Sequence, residues 1–329
     1  MKTVTRAGAY SAGLAVAFGA AFGIGNAIDP VASDPPPAHG RHGGSAPPAA
    51  HEEDEPMNEH GGTEHDTTEN APATPGGLQI SERGYTLVPP AEPVPAGERA
   101  DFRFRVLGRD GAPLTRYEEA HGQDLHLIVV RRDLSRYQHV HPTLGEDGTW
   151  SVPLTFPDPG AYRVFADFTP AGDEDGALTL GADVSAAGPY EPEPLPEPDR
   201  TATVDGYTVT LEGDLAAGAS SELTLSVSRD GEPVTDLQPY LGAYGHLVAL
   251  RSGDLAYLHV HPQGEPGDGR TPAGPGITFH AEAPSAGAYR LYLDFRHEGR
   301  VRTAEFTVTA GEAEGGGHAG HGSGEGHAH

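Results

Sequence analysis

Apolar and polar residues alternate along most of the chain between residues 78 and 310, so that apolar side chains recur at every second position. Between residues 161 and 168, for example, Tyr162, Val164, Ala166 and Phe168 share one face of an extended chain. A period of two is typical of a β-strand with one buried face, and no helical period is found. In the first half of this region the pattern predicts strands near residues 85–88, 100–107, 124–131, 137–141, 149–156, 161–168 and 178–184.

The region consists of two copies of one sequence. Residues 109–142 align with residues 229–262 without a gap at an offset of 120, and "GAYRVFADF" at 160–168 returns as "GAYRLYLDF" at 287–295. An internal repeat of this length predicts one folding module used twice. The lead-in Pro-x-x-Gly-Ala-Tyr of both copies is typical of the tyrosine corner of immunoglobulin-like sandwiches. We therefore predict an all-β protein with two tandem immunoglobulin-like β-sandwich modules, at 78–187 (module 1) and 201–310 (module 2).

The segments around the modules have a different composition. Residues 29–77 are rich in His, Pro and Glu with few large apolar residues, and residues 311–329 are rich in His and Gly, so we predict that both are disordered. The linker "GPYEPEPLPEPDR" at 188–200 carries proline at alternate positions, which favours an extended spacer and predicts modules that fold independently.

The N-terminus predicts export. Lys2 and Arg6 precede an uncharged run from Ala7 to Ile28. A basic flank before an apolar run is typical of a signal peptide or of a membrane anchor, and both remain open for residues 1–28. In either case we expect the remainder of the chain outside the cytoplasm, either secreted or held at the membrane by this segment.

Charge and composition limit the chemistry. The chain has 48 Asp and Glu against 21 Lys and Arg, a net charge of −27, which argues against nucleic acid as a partner. It has no cysteine and only 2 methionines, so disulfides and thiolate ligands are excluded. A metal site would use imidazole and carboxylate, a ligand set that suits Cu(II) or Zn(II).

Each module carries a histidine motif, "YQHVHP" at 137–142 and "YLHVHP" at 257–262. If residues 124–131 and 137–141 form a hairpin, residues whose numbers sum to 267 lie opposite each other, which pairs His126 with His141; the corresponding sum of 507 pairs His246 with His261. Directly opposed imidazoles can share an ion. We therefore predict one three-histidine metal site per module, formed by His126, His139 and His141 in module 1 and by His246, His259 and His261 in module 2. The alternative is that these histidines are structural.

The fourth ligand is open. Asp167 and Asp294 are equivalent, but strand alternation places them beside Arg163 and Arg290, which favours an ion pair. Water or an open position could complete each site. His121, His280 and His297 occur in one copy only and could make the two sites unequal. The tail offers possible weak metal ligands at His318, His321, His327 and His329.

The segment "RDGEPVTDLQPYLGAYGHLVALR" followed by "YLHVHP" resembles exported actinobacterial proteins with Tyr-x-His-x-His-Pro sandwich modules. More distantly it is similar to copper-associated sandwiches of the CopC and YtkA type. The resemblance implies an immunoglobulin-like or cupredoxin-like fold and the handling of copper or another heavy metal outside the cytoplasm.

These observations predict an exported protein that captures, buffers or transfers copper or zinc. No Ser/His/Asp order, paired acid and base carboxylates or phosphate loop is found, so enzymatic turnover is not predicted. The main alternative is an envelope-anchored interaction module that binds another envelope protein, with structural or pH-sensing histidines. A metalloenzyme with an open coordination position is a third possibility.

Overall fold

The computed structural model describes residues 74–312, apart from the side chain of His259. The predicted signal peptide or anchor, most of the predicted tether and the histidines of the C-terminal tail lie outside the described residues. Within residues 74–312, no helix has the length and apolar character needed to cross a membrane. The predicted fold class is confirmed, because the described chain is built from β-strands arranged as two immunoglobulin-like sandwiches.

Module 1 packs two sheets face to face, with strand orders β1-β2-β3-β8-β7 and β10-β9-β5-β6, and β4 adds to β9. Its strands are β1 (Ser81–Glu82), β2 (Tyr85–Val88), β3 (Arg99–Leu107), β4 (Tyr117–Glu118), β5 (Leu125–Arg131), β6 (Gln138–Val140), β7 (Thr143–Leu144), β8 (Thr149–Thr155), β9 (Gly160–Pro170) and β10 (Leu178–Ala186).

Module 2 repeats this plan with strand orders β11-β12-β14-β18-β17 and β13-β20-β19-β16, and β15 pairs with β14. Its strands are β11 (Thr201–Val204), β12 (Tyr207–Glu212), β13 (Ala216–Ala217), β14 (Ser220–Arg229), β15 (Glu232–Pro233), β16 (Gly245–Arg251), β17 (His259–Pro262), β18 (Gly276–Glu282), β19 (Gly287–His297) and β20 (Arg300–Glu312). Residues 311 and 312, assigned to the tail by composition, therefore continue the last strand.

Each module has its own apolar core between its sheets, formed by the inward residues of the alternating strands. The tyrosine corners predicted from the sequence are present. The Tyr162 hydroxyl donates to the Asp158 carbonyl at 2.9 Å, and the Tyr289 hydroxyl donates to the Ser285 carbonyl at 2.7 Å. Each buried phenol thus has a partner for its polar end and fixes the turn into the following strand.

The two modules share a third apolar cluster, which we call the intermodular cluster. It consists of Ile128, Val130, Leu134 and Phe165 of module 1 and Val248, Leu250, Leu255 and Tyr292 of module 2, with Tyr137, Leu195 and Tyr257 packed against it. Ile128 and Val130 are equivalent to Val248 and Leu250 at the repeat offset of 120, so equivalent strands meet at this surface. The modules are therefore in contact, although the linker that joins them is extended and rich in proline.

The linker lies against module 1. The Glu193 amide donates to Asp133 Oδ2 at 2.8 Å, Arg131 Nη2 donates to the Glu191 carbonyl at 2.9 Å, and Leu195 packs against the intermodular cluster. These contacts order an exposed, proline-rich segment that has no sheet partners of its own over most of its length. The linker is thus part of the folded structure.

The first described residues also bridge the modules. Gly76 forms an antiparallel bridge with Tyr257, and the Gly77 carbonyl accepts from Arg163 Nε at 3.0 Å. A side chain at Gly181 has no room, since its Cβ would lie 1.9 Å from the Gly77 oxygen. Gly76 and Gly77 were assigned to the disordered tether, and this boundary is corrected to an earlier residue.

The two copies differ in the strand that carries the paired histidines. In module 1, β6 pairs with β5, whereas in module 2, β17 leaves the hairpin after Leu258 and pairs with β18 of the opposite sheet. The proline at position 153 explains the difference. Pro153 is equivalent to His280 when the copies are aligned on their tyrosine corners, and His280 pairs with His261. Proline has no amide to donate, so β8 cannot offer the pairing at this position that β18 offers.

Candidate functional site

The hairpin of β5 and β6 brings three histidines together. Its register pairs Leu127 with Val140, Ile128 with His139 and Val129 with Gln138, as the sum of 267 predicts. His126 lies at the other end of this register, opposite the position of His141 just beyond β6. The prediction that His126, His139 and His141 gather at one place is therefore confirmed, and their ligand nitrogens all lie within 4.8 Å of one another.

The approach of the three imidazoles is close. His126 Nδ1 lies 3.0 Å from His139 Nε2 and 3.2 Å from His141 Nε2. The ring centroids are 5.3 Å apart for His126 and His139, 5.0 Å for His126 and His141, and 4.9 Å for His139 and His141. We call these three residues the histidine triad.

The outer nitrogens of two triad members are held by oxygen acceptors. His126 Nε2 donates to the Ala120 carbonyl at 3.1 Å, and His139 Nδ1 donates to Asp294 Oδ2 at 2.9 Å. In neutral rings the inner nitrogens, His126 Nδ1 and His139 Nε2, then both carry lone pairs and face each other at 3.0 Å. A proton or a metal cation between them satisfies both. This use of the outer N–H is typical of metal-ligating histidines.

Asp294 reaches the triad from module 2. It lies on β19, its side chain is 3% exposed, and its other oxygen accepts from Thr303 Oγ1 at 2.5 Å. The sequence predicted an ion pair with Arg290, and that prediction is wrong. Arg290 pairs with Glu305 on β20, which frees the buried carboxylate to orient His139.

Asp167, the equivalent carboxylate of module 1, accepts from Thr179 Oγ1 at 3.0 Å, and Arg163 pairs with Asp183. The partners of Asp294 and Arg290 thus differ from the predicted ion pair, and in module 1 Arg163 reaches Asp183. On each strand the arginine instead reaches an acidic residue on the neighbouring strand.

Burial keeps the imidazoles of His126, His141 and His246 neutral. Burial first, and then the neighbouring His139, lower the pKa of His126 to about 3 and that of His141 to about 4. Burial likewise lowers the pKa of His246 to about 4. A neutral imidazole is the form that binds a metal ion, so these side chains are available as ligands at neutral pH without the loss of a proton.

His246 approaches the triad from module 2. Its ring centroid lies 6.1 Å from that of His139 and 6.4 Å from that of His126, and its Nε2 donates to the Tyr240 carbonyl at 2.8 Å. His121, in the turn before β5, has its ring centroid 5.4 Å from that of His246. The structure therefore places histidines of both modules around one point.

The predicted pairing of His246 with His261 is wrong. His246 lies opposite Asp294 of β19, and His261 lies opposite His280 of β18, because β17 has joined the other sheet. Among the side chains that the structure describes, the triad is the one group of three potential metal ligands within 4.8 Å. The side chain of His259 is outside that description, so its predicted role as a ligand stays a prediction.

The histidines found in module 2 alone occupy separate places. His297 is buried, with Nδ1 2.7 Å from the Tyr207 hydroxyl and Nε2 3.0 Å from Asp236 Oδ1, which gives it a structural role. His280 is exposed on β18. Neither adds a ligand to the triad.

Tyr137, the first residue of the repeated motif, was not assigned a role from the sequence. Its ring stacks on that of Tyr292, with centroids 4.0 Å apart and an interplanar angle of 7°. Its buried hydroxyl makes no hydrogen bond with the described residues, and burial raises its pKa well above the usual value. The tyrosine at the start of "YQHVHP" was the signal that could have identified this contact.

Comparison with solved structures gives weak similarities to cell-surface proteins. The Yersinia pseudotuberculosis adhesin InvE matches at 13% identity and a TM-score of 0.23, over 70% of this chain and 60% of that chain. Domains 4 and 5 of the S-layer protein SbsC match at 11% identity and a TM-score of 0.19, over 71% and 98%. Invasin, a bacterial integrin-binding protein, matches at 14% identity and a TM-score of 0.20, over 71% and 41%. Similarity at this level carries no inference about what this chain binds.

Sequence comparison gives a family. A search of curated protein sequences finds no match. The profile of one family, described as a domain of unknown function (DUF8832), matches residues 81–183 and again residues 202–312, one match in each module. The two matches together cover more than half of the chain. This protein belongs to the DUF8832 family.

Proposed function

We propose that this protein binds a divalent transition metal, Cu(II) or Zn(II), at His126, His139 and His141. The observation that carries the proposal is the pair of inner nitrogens, His126 Nδ1 and His139 Nε2, which face each other at 3.0 Å while their outer nitrogens donate to Ala120 and Asp294. An ion between the rings uses both lone pairs and that of His141 as well. Nitrogen ligands without sulfur favour these two ions.

The role that we infer is capture, buffering or transfer of the ion outside the cytoplasm, without turnover. The inference rests on the basic and apolar N-terminus, the acidic composition and the resemblance to copper-associated sandwiches. The histidines at 318, 321, 327 and 329 would collect ions weakly near the folded modules. Residues 1–28 would export the chain or hold it at the membrane.

The second candidate is an envelope interaction module in which the histidines are structural or sense pH. The observation that favours it is the contact between His139 of module 1 and Asp294 of module 2, with side chains 5% and 3% exposed. A shared proton in place of a metal ion would satisfy the facing nitrogens. Protonation of the cluster would then affect the contact between the modules and any surface that depends on it.

The test is metal binding by the purified full chain, measured by titration in competition with a chelator. We expect one tight site for Zn(II) or Cu(II) above a background of weak sites. Replacement of both His139 and His141 by Gln should abolish the tight site and leave the weak ones, whereas His280→Gln, an exposed histidine, should change neither. Absence of a tight site in the unaltered chain, or its survival in the double variant, would overturn the proposal and favour the interaction module.

A further inference from the structure

We propose that His246 of module 2 is the fourth ligand of this site, so that a tetrahedral Zn(II) ion joins the two modules. The inference rests on the proposed metal site and adds to it the coordination geometry, the preferred ion and a link between modules. It replaces the expected arrangement of one site per module with a single shared site.

The shape of the triad favours a tetrahedral ion. Its three centroid distances, 4.9, 5.0 and 5.3 Å, form a nearly equilateral triangle. With metal–nitrogen bonds of about 2.0–2.1 Å, rings on a tetrahedral ion lie roughly 5 Å apart. In a square-planar arrangement, any three ligands include one trans pair. On a tetragonal Cu(II) ion the two rings of that pair would lie roughly 6.4 Å apart. The triad has no such pair, so its three rings favour Zn(II), and a tetrahedral site with four ligands requires His246, now 6.4 Å from His126, to move closer.

His246 and His126 each donate a hydrogen bond from the outer nitrogen to a backbone carbonyl. His246 Nε2 donates to the Tyr240 carbonyl at 2.8 Å, and His126 Nε2 donates to the Ala120 carbonyl at 3.1 Å. Ala120 is equivalent to Tyr240, and His126 to His246, at the repeat offset of 120. The same hydrogen bond to the turn therefore fixes the same tautomer in both modules. Nδ1 is therefore the nitrogen that carries the lone pair in both rings. His126 Nδ1 already faces the other two triad members.

The ring of His246 lies near those of two members of the triad, His139 and His126. Its ring lies 6.1 Å from His139 and 6.4 Å from His126, about 1 Å beyond the roughly 5 Å of a closed tetrahedral site. Coordination would require a rotation of the ring, or an approach of the modules, that closes this gap. The ring is partly buried at the junction, so little water has to be displaced.

Coordination by His246 would give the ion two connections to module 2. One is the bond to His246 itself, and the other is the His139 ring, whose Nδ1 donates to Asp294 at 2.9 Å. Both contacts lie beside the intermodular cluster, in which the Tyr292 hydroxyl donates to the Leu134 carbonyl at 2.6 Å. Binding of the ion would therefore stabilise the contact between the modules as well as the hairpin of module 1.

His121 is the competing ligand, because its ring lies 5.4 Å from His246 and 6.2 Å from His126. It differs from His246 in one respect that matters for a ligand. No hydrogen bond in the structure fixes a nitrogen of its exposed ring, so the site would have to order that side chain on binding. We therefore assign the fourth position to His246.

The experiment compares His246→Gln, His121→Gln and the exposed control His280→Gln in the full chain. Zn(II) affinity is measured by chelator competition, and the coordination geometry is read from the visible absorption of bound Co(II), which is intense in tetrahedral sites. We expect His246→Gln to weaken Zn(II) binding by about a hundredfold or more, above the loss usual for an orienting group. It should also remove the tetrahedral Co(II) spectrum, while the other two variants behave as the unaltered chain does.

The outcomes separate this inference from the proposed function. If His246→Gln binds Zn(II) as tightly as the unaltered chain with an unchanged Co(II) spectrum, the shared site is wrong while the triad site stands. If His121→Gln shows the loss instead, the fourth ligand belongs to module 1. Tighter binding of Cu(II) with a tetragonal spectrum would overturn the tetrahedral geometry. Absence of a tight site in every protein would refute the proposed function itself.

Discussion

At the scale of the residue, the candidate site depends on which nitrogen of each histidine is already occupied. Asp294 takes the outer N–H of His139 and fixes the inner nitrogen as an acceptor. We predict that Asp294→Asn weakens metal binding by about 10–100-fold, the usual cost of losing a group that orients a ligand. The measurement is chelator competition with the full chain.

The matched control for this variant is Asp167→Asn. Asp167 is the equivalent residue of module 1, and it accepts from Thr179. Its replacement removes the same charge from the equivalent position of the repeat without touching the acceptor of His139. Equal losses from the two variants would show that net charge, or the position of Asp167 opposite His126, and not the orientation of His139, controls the affinity.

The lowered histidine pKa values predict how the metal-free protein responds to acid. The pKa of His126 is about 3 and those of His141 and His246 are about 4, against about 6.5 in the unfolded chain. Between about pH 4 and 6.5 the unfolded chain therefore binds more protons than the folded chain. The free energy of unfolding should therefore decrease as the pH is lowered from about 6.5 to 4, by up to about 1.4 kcal/mol per pH unit for each histidine.

Urea unfolding of the metal-free full chain between pH 4 and pH 7 tests this expectation. His141→Gln should reduce the slope by the share of one histidine, and the exposed His280→Gln should leave it unchanged. A slope that is the same in all three proteins would mean that the cluster is protonated in the folded state. In that case a shared proton, and not a metal ion, would account for the facing nitrogens.

At the scale of the element, period-two alternation was sufficient to locate the strands and the hairpin of module 1. The predicted strand at residues 85–88 matches β2, and the register of β5 with β6 follows the predicted sum. The same reasoning failed for β17 because it considered the hairpin alone. A strand at the edge of a sandwich can pair with either sheet. Whether β6 or β17 joins the opposite sheet depends on a residue of another strand, Pro153 of β8 or its equivalent His280 of β18.

The contact between the modules was missed for a related reason. The strand β5 is buried along its whole length, and Leu127, Ile128, Val129 and Val130 form a continuous apolar run. Such a run indicates a strand covered on both faces. Period-two alternation places Ile128 and Val130 on the same face as His126, where the predicted single-module hairpin offers nothing to cover them. The second module covers them.

We predict that His280→Pro detaches β17 from β18. The two strands pair His261 with His280, and proline removes the amide of residue 280 from that pairing. The loss of one ladder hydrogen bond should cost about 1 kcal/mol in the free energy of unfolding. Hydrogen exchange should become faster in residues 259–261, and His280→Gln, which keeps the amide, should leave it unchanged. Unaltered exchange in the proline variant would mean that β17 is held by other contacts.

At the scale of the whole molecule, the two modules form one unit through the intermodular cluster, beside which the candidate site lies. Tyr292 is central to this contact, since it stacks on Tyr137 and donates to the Leu134 carbonyl at 2.6 Å. Replacement of a buried aromatic residue by Ala costs about 3–5 kcal/mol. Tyr292→Ala should therefore weaken the contact between the modules, while the separate cores of both modules keep their own packing.

This variant also tests whether metal binding and the contact between modules are coupled. If the ion is held by groups of both modules, binding must strengthen the contact, and weakening the contact must lower the affinity to the same extent, because coupling between two equilibria is reciprocal. For coupling energies of about 1–3 kcal/mol, Tyr292→Ala should weaken Zn(II) binding by about 5–150-fold. Phe279→Leu, within the core of module 2, destabilises the fold without touching the contact and should leave the affinity unchanged. Equal Zn(II) affinities in Tyr292→Ala and the unaltered chain would mean that the ion is held by module 1 alone.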